Sequence, residues 1–484
     1  MRIRYIEEPS LKFGLNQHIC PKAGIVEYQP FDFNSVRPDK IIVGMVGKSE
    51  GIQKICAWLT ECEVKIDGKP AKKGKKQNLS LFPPFPGFNR SGGFMCQLSY
   101  DDTFLRTINN SEIEDINKRC ELLDNRIKEI AELYLNEIKY LTKNKKVDVI
   151  FCVLTEDITN SITMPVIAKD DEPETTAYAG KDDTEEENIE LEQNFRRYIK
   201  AKAMQFQVPI QIVKDRIANP SGDMQDPATI AWNFFTALYY KAGGTPWALV
   251  RKDMAETTCY AGISFYRSRD RQSIQTSIAQ IFNEMGKGII LRGEEVEMSK
   301  FDRTPHLSDI QAYNLLRMSL KEYIEAIRQT PRRLVIHKTS NYSEAELYGF
   351  KQAAKEFHIQ QVDLVTVMDS DIRLYREYQY PPLRGTHLEL TYKQHLLYTR
   401  GAVPYFETYP GMYIPRPLQI RLFSYDESPD VICDEIVALT KMNWNNTQFD
   451  RKYPITIECA QNVGDILKYL EAEDKMQLKY AFYM

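Results

Sequence analysis

The sequence predicts an α/β protein of two domains, and three observations carry the prediction. The chain has 484 residues, enough for roughly two to four cores and too many for one. Runs that read as buried strands, such as Ile41-Ile42-Val43 and Val147-Asp148-Val149-Ile150-Phe151-Cys152-Val153-Leu154, alternate with helix-length amphipathic segments. That alternation belongs to parallel sheets covered by helices. The composition is globular, 43% hydrophobic and 27% charged.

Charge and punctuation exclude several classes. Lys+Arg is 63 against Asp+Glu 67, a formal net charge of -4, which leaves room for a local basic groove but not for a basic coat. No apolar run reaches the ~18–20 residues of a membrane span. The opening Met1-Arg2-Ile3-Arg4-Tyr5 lacks the apolar core of a signal peptide, so a cytoplasmic location is expected. None of the nine cysteines forms a Cys-x-x-Cys pair and the six histidines form no His-Glu-x-x-His pair. The cysteines read as small buried hydrophobes rather than a disulfide frame or a zinc site.

The elements follow in order. Pro9, Gly14, Pro21, Gly24 and Pro30 cut the first stretch into short extended pieces. The stretch from Lys40 to Gly51 reads as an apolar strand and a glycine turn, followed by a helix from about Ile52 to Leu59. Gly47-Lys48-Ser49 resembles the end of a phosphate loop, but the first glycine of that motif would fall at Ile42. Lys65, Lys69, Lys72, Lys73, Lys75 and Lys76 form a lysine-rich loop, solvated or touching phosphate. Ser111-x-x-Glu114 is a capping box that opens one long helix to about Lys143. The strand Val147–Leu154 precedes an acidic linker, Asp170 to Glu187. A helix over Glu192–Phe206 and a strand over Val208–Val213 come next. Asp226-Pro227 starts a helix that stops at Gly243-Gly244. The second half reads as a strand Thr258–Tyr266, a helix Ser308–Arg328, a strand Leu334–His337, a helix Ser343–Phe357, a strand Leu364–Met368 and hairpin-like segments to Phe423.

One constellation suits an anion. Tyr198 and Lys202, four apart, share a helix face; Gln211 lies on the next strand and Lys241 at the end of the next helix. A hydroxyl, an amide and two ammonium groups match a terminal phosphate, and the tyrosine ring can stack on a base. Tyr198-x-x-x-Lys202, Gln211 and Lys241-x-Gly243-Gly244-x-Pro246-Trp247 resemble the guide 5′-end pocket of Argonaute proteins. Glu8-Pro9-x-Leu11-x-Phe13-Gly14 and Leu81-Phe82-Pro83-Pro84-Phe85-Pro86-Gly87 resemble prokaryotic Argonaute openings. Tyr260-Ala261-Gly262-Ile263-Ser264 resembles the first strand of a PIWI domain. Leu439-Thr440-Lys441-Met442-Asn443-Trp444-Asn445 with Tyr453-Pro454-Ile455-Thr456 resembles its end.

The resemblance implies a short prokaryotic Argonaute. Its parts would be an N-terminal segment (1–38) packing on PIWI, a Rossmann-like MID domain (39–242) and an RNase H-like PIWI domain (243–484), with no PAZ domain. It implies that Tyr198, Lys202, Gln211 and Lys241 bind the guide 5′-phosphate. The terminal carboxylate of Met484 would help hold Mg2+ or Mn2+ beside it. Active members carry aspartates where this chain has Ser264 and Thr339. A serine and a threonine do not replace hard anionic magnesium ligands, so an inactive nuclease is expected. Glu458 stands near the last ligand position, and Glu294, Glu295 and Glu297 lack partners. Arg332, Arg333, Lys338, Arg384, Arg400 and Arg416 are expected to line the nucleic-acid groove. The implied partners are a small guide RNA, a complementary single-stranded DNA target and an APAZ-containing effector subunit in a 1:1 heterodimer. That effector would be a TIR or sirtuin-type NADase or a nuclease, serving defence against plasmids or phage. Two other readings stand beside this one, a self-sufficient guided endonuclease and a stand-alone guided binding protein without an effector.

Overall fold

The computed structural model describes residues 1–71, 76–163, 181–221, 224–250, 257–269, 273–282, 288–299, 303–375, 377, 381–411, 413–471 and 473–484. The expected Lys72, Lys73 and Lys75 of the basic loop and most of the acidic linker lie outside the described residues.

The N-terminal half is built on a parallel sheet. The strand Lys40–Gly47 is central, with Gln97–Ser99 and Leu105–Thr107 pairing along one edge and Val149–Leu154, then Ile210–Lys214, on the other. Every residue of Val149–Leu154 is buried, as a strand covered on both faces requires. Helices Ser49–Glu61, Leu123–Asn144, Lys181–Ala203 and Pro227–Lys241 accompany this sheet. Asp226 caps the last of these by accepting from the Thr229 N–H, with Pro227 in its first turn.

The C-terminal half centres on a nine-stranded mixed sheet. Its order is Arg2–Tyr5, Thr386–Thr391, Gln394–Leu397, Leu418–Ser424, Gln361–Asp369, Arg333–Lys338, Thr258–Arg267, Ile274–Phe282 and Ile290–Val296. Thr258–Arg267, Arg333–Lys338 and Gln361–Asp369 run parallel. Helices Asp309–Ile327 and Glu344–Glu356 start on Ser308 and Ser343, each in a reciprocal capping box. Helix Ile455–Leu467 packs directly on the first of the parallel strands. A Cβ at Gly262 would lie 2.1 Å from the Thr456 carbonyl oxygen, so only glycine permits that approach.

The N-terminal segment ties the halves together. Arg2–Tyr5 joins the nine-stranded sheet, while Leu11–Lys12 pairs with Ala248–Leu249. One apolar core runs through both halves and includes Trp58, Trp232, Trp247, Trp444 and Met484.

Three expectations change. The segment 21–28 is helical, because Pro21 at the first turn is compatible with a helix start. The single long helix is two, Asn110–Arg119 and Leu123–Asn144. Cys120 is extended between them, and the buried Arg126 donates to its carbonyl at 3.4 Å. The capping box is Asn109 with Glu112, not Ser111 with Glu114. All nine cysteines are free thiols, eight of them buried. Among the described residues, no helix is long and apolar enough to cross a membrane.

Candidate nucleic-acid interface

The helix Lys181–Ala203 presents an apolar stripe through Phe195, Ile199 and Ala203, each buried. Two four-residue pairs flank that stripe on opposite sides, because a two-residue offset turns the helix by about 200°. Arg196 and Lys200 lie on one flank, Tyr198 and Lys202 on the other.

Arg196 and Lys200 face the end of helix Pro227–Lys241. Lys241 is buried, and its Nζ donates to the Ile210 carbonyl (3.0 Å) and to Gln211 Oε1. Burial pulls the Lys241 ammonium well below its ordinary pKa, and the nearby charges of Lys200 and Arg196 push it the same way. Lys200 is pulled down to about 7, by burial first and by Arg196 second. Neither lysine has a carboxylate partner among the described residues. On the helix of Lys200, Glu192 accepts from Arg196 Nε (2.9 Å) and from Lys214. Burial pushes the Glu192 carboxyl up, but those two cations outweigh it and hold it low.

Tyr198 and Lys202 face elsewhere. The Tyr198 ring meets Tyr469 edge-on at 6.2 Å. Lys202 Nζ binds Asp474 at 2.7 Å and Glu471 at 3.3 Å. Of the four residues expected to converge, the structure therefore brings together Gln211 and Lys241, and Arg196 and Lys200 complete their site. The signal for the second pair was present, since it has the same spacing and sits beside the Phe195–Ile199 stripe.

A divalent cation requires hard anionic oxygens. Here ammonium and guanidinium groups converge on Gln211 and Lys241, and Glu192, on the helix of Arg196 and Lys200, is already bound twice. These side chains alone do not supply the oxygens Mg2+ or Mn2+ needs; the terminal carboxylate of Met484 would have to. The Met484 side chain lies in the apolar core, and the turn Tyr480–Phe482 before it packs on the helix that carries Lys241.

The second site lies on the large sheet. Ile263 pairs with Lys338 in parallel register, so Ser264 lies level with Thr339, which follows the end of its strand. Helix Ile455–Leu467 packs one step earlier, at Gly262 and His337, with Thr456 Oγ1 at 2.8 Å from His337 Nδ1. Glu458, about 200° further round this helix, pairs with Arg451 instead. Glu294, Glu295 and Glu297 are exposed on or beside the sheet-edge strand Ile290–Val296. Among the described residues no three His, Cys, Asp or Glu side chains cluster as metal ligands.

No protein-family model matches the sequence, and no curated protein matches it. Solved structures do match in fold. Clostridium butyricum Argonaute, bound to a guide DNA and a 19-mer target DNA, superposes with a TM-score of 0.65 at 15% identity, covering 97% of this chain and 53% of that one. Drosophila Piwi gives 0.62 at 10% identity, covering 99% and 56%. Marinitoga piezophila Argonaute, in complex with a 5′-OH guide RNA, gives 0.56 at 13% identity, covering 100% and 59%. The chain has the Argonaute fold. It spans a little over half the length of these Argonaute and Piwi chains.

On the Argonaute fold the parallel five-stranded sheet is the MID sheet and the nine-stranded one the PIWI sheet. Burial then divides the six expected groove residues. Arg333 is buried and binds Asp363 (2.6 Å) and Glu435. Lys338 is buried against Glu346. Arg384 is buried and binds Glu8 (3.0 Å) and Thr440 (2.8 Å). These three hold the PIWI core and do not face a groove. Arg332 is exposed at the far end of its strand from Thr339. Arg400 and Arg416 line one cleft of about 530 Å³ between the N-terminal segment, the MID sheet's helices and PIWI, together with Lys22, Lys452 and Tyr413. Tyr413 is 81% exposed, a ring free to stack.

Proposed function

We propose that the chain is a guide-dependent nucleic-acid sensor. It seats the 5′-phosphate of a small guide, RNA by the resemblance, against Arg196, Lys200, Gln211 and Lys241. The observation that carries this reading is a partly buried cluster of cations in which, among the described residues, no carboxylate pairs with the two lysines, on the MID side of an Argonaute fold. Such a cluster wants an anion. The cleft with Arg400, Arg416 and Tyr413 then offers charge and a ring to the strand beyond the pocket. Base pairing with the guide, not the protein, reads a complementary single-stranded DNA target.

The same reading makes recognition non-cutting, because Ser264 and Thr339 stand where the resemblance expects metal-holding aspartates. An APAZ-containing effector in a 1:1 complex, with an NADase or nuclease output in defence, rests on the sequence resemblance alone. Co-expression with the neighbouring gene product and size-exclusion chromatography test it. Two separately eluting chains count against it.

The test of the pocket is guide affinity. A 5′-phosphorylated guide should bind at least about tenfold tighter than its 5′-hydroxyl twin. One charge-assisted contact is worth about 1.5–3 kcal/mol, and 1.4 kcal/mol is tenfold. Equal affinities would sink the reading.

A further inference from the structure

The pocket holds more lysine than its surroundings can keep charged. Lys241 makes its bonds to neutral acceptors, the Ile210 carbonyl and the Gln211 amide oxygen. An unprotonated amine still carries two N–H groups, enough for both. Lys200 has no hydrogen bond or ion pair among the described residues. Several elements pack against the helices that carry the two lysines. From helix Leu123–Asn144 Glu132 acts on Tyr198, on the other flank, and from helix Glu156–Thr163 Asp157 is bound by Lys48 and Thr155. On their own helix Arg196 is a cation and Glu192 is taken by Arg196 and Lys214. From the strand Val149–Leu154 comes Cys152, a thiol that burial pushes up to about 12 and so keeps neutral. From helix Ile455–Leu467 comes Asp465, bound by Arg197 at 2.7 Å and Lys468 at 3.3 Å. Among the described side chains, only Arg196, Cys152 and the lysines themselves act on the charge of this pair. The turn Tyr480–Phe482 packs on the helix of Lys241, and if the Met484 carboxylate beyond it already holds the lysines charged, no protons are taken up and the coupling fails.

We propose that the guide charges its own pocket: seating the terminal phosphate draws protons from solvent onto Lys200 and Lys241, so guide loading is coupled to proton uptake. This rests on the reading of the pocket as a 5′-phosphate site. The chemistry is a protonation of two amines, with buffer as the proton donor. In the empty site burial and like charge disfavour the ammonium form. A dianionic phosphate reverses the balance, since an opposite charge within ~4–6 Å favours it. The sign is therefore fixed. The affinity of a phosphorylated guide is greatest near pH 7 and falls as pH rises above it, as Lys200 loses its proton. The guide phosphate itself titrates near 6 and is fully dianionic at pH 8.

Calorimetry of the wild-type chain at pH 8, in HEPES and in Tris, reads the protons directly, because their ionisation enthalpies differ. The 5′-phosphorylated guide should take up between about one and two protons, and the 5′-hydroxyl guide of the same sequence close to none. Between pH 7 and pH 9 the affinity of the phosphorylated guide should fall at least tenfold, and that of its twin less than about threefold. Lys200→Arg, charged at every pH used, should lower the uptake. Tighter binding of the phosphorylated guide without excess proton uptake overturns the coupling and leaves the pocket assignment standing. Equal affinity and equal uptake for both guides overturn both.

Discussion

Lys241 Nζ donates to the Ile210 carbonyl at 3.0 Å and to the side-chain oxygen of Gln211, so the last residue of one helix grips the first two residues of a strand. This latch holds the pocket floor before any ligand arrives. It also keeps the Lys241 amine within reach of the charges of Arg196 and Lys200.

The first prediction separates the two flanks of the helix Lys181–Ala203. Lys200→Ala should weaken binding of a 5′-phosphorylated guide by at least about tenfold, because it removes a charge-assisted contact worth about 1.5–3 kcal/mol. Lys202→Ala should change it by less than about threefold, since Lys202 already binds Asp474 and Glu471. Titration of labelled guide against both variants decides. A larger loss from Lys202→Ala would return the site to the Tyr198 flank.

The second concerns metal. With Lys200, Lys241 and Arg196 supplying the positive charge, removing divalent ions with EDTA should leave affinity for the phosphorylated guide within about twofold at constant ionic strength. A loss beyond tenfold, restored by Mg2+ or Mn2+, would show that a cation belongs in the pocket.

Much of the fold is legible because caps and strands are local. Ser308 with Gln311 and Ser343 with Glu346 mark helix starts within four residues, and Asp226-Pro227 does the same. The pocket was legible only in part. Arg196–Lys200 and Tyr198–Lys202 share one spacing, and which pair meets Lys241 depends on the rotation of the helix against the sheet. The buried stripe of Phe195 and Ile199 sets the apolar face, yet both pairs flank it, so packing alone chooses between them. The basic residues were misread for a different reason. Charge type says surface, but Arg333 is buried because Asp363 and Glu435, 30 and 102 residues away, are there to receive it. Pairings over that separation leave no trace in local sequence.

The third prediction follows from one of those buried pairs. Lys338→Met removes the cation from Glu346 while both positions are fully enclosed. Breaking one partner of such a pair costs about 3–5 kcal/mol, read as a lower denaturant midpoint. Guide affinity per folded molecule should stay within about twofold. A stable variant with weakened nucleic-acid binding would place Lys338 in the groove after all.

The fourth concerns cutting. A purified chain loaded with guide and given a complementary strand should leave it intact in Mg2+ or Mn2+, because Ser264 and Thr339 offer hydroxyls where hard anions are needed. Gel analysis of end-labelled target is enough. Guide-dependent product that recurs in independent preparations and requires the metal would restore the nuclease reading.

The last prediction tests the cleft by its salt response. Arg400 and Arg416 line it without the enclosing ion pairs that hold Arg333 and Arg384 in the core; Arg400 Nε donates only to the Asp450 carbonyl, at 3.1 Å. If each meets a backbone phosphate, each releases condensed counterions on binding. For single strands the slope of log affinity against log salt changes by about 0.7 per phosphate contact. Arg400→Ala and Arg416→Ala should each flatten that slope by about this amount and weaken binding similarly across sequences, as phosphate contacts carry no base information. Arg332→Ala, at the far end of its strand from Thr339, should leave the slope unchanged. Measurements between 50 and 200 mM salt separate the cases. An unchanged slope in both cleft variants, with a flattened one in Arg332→Ala, would move the nucleic-acid path to the opposite end of the PIWI sheet.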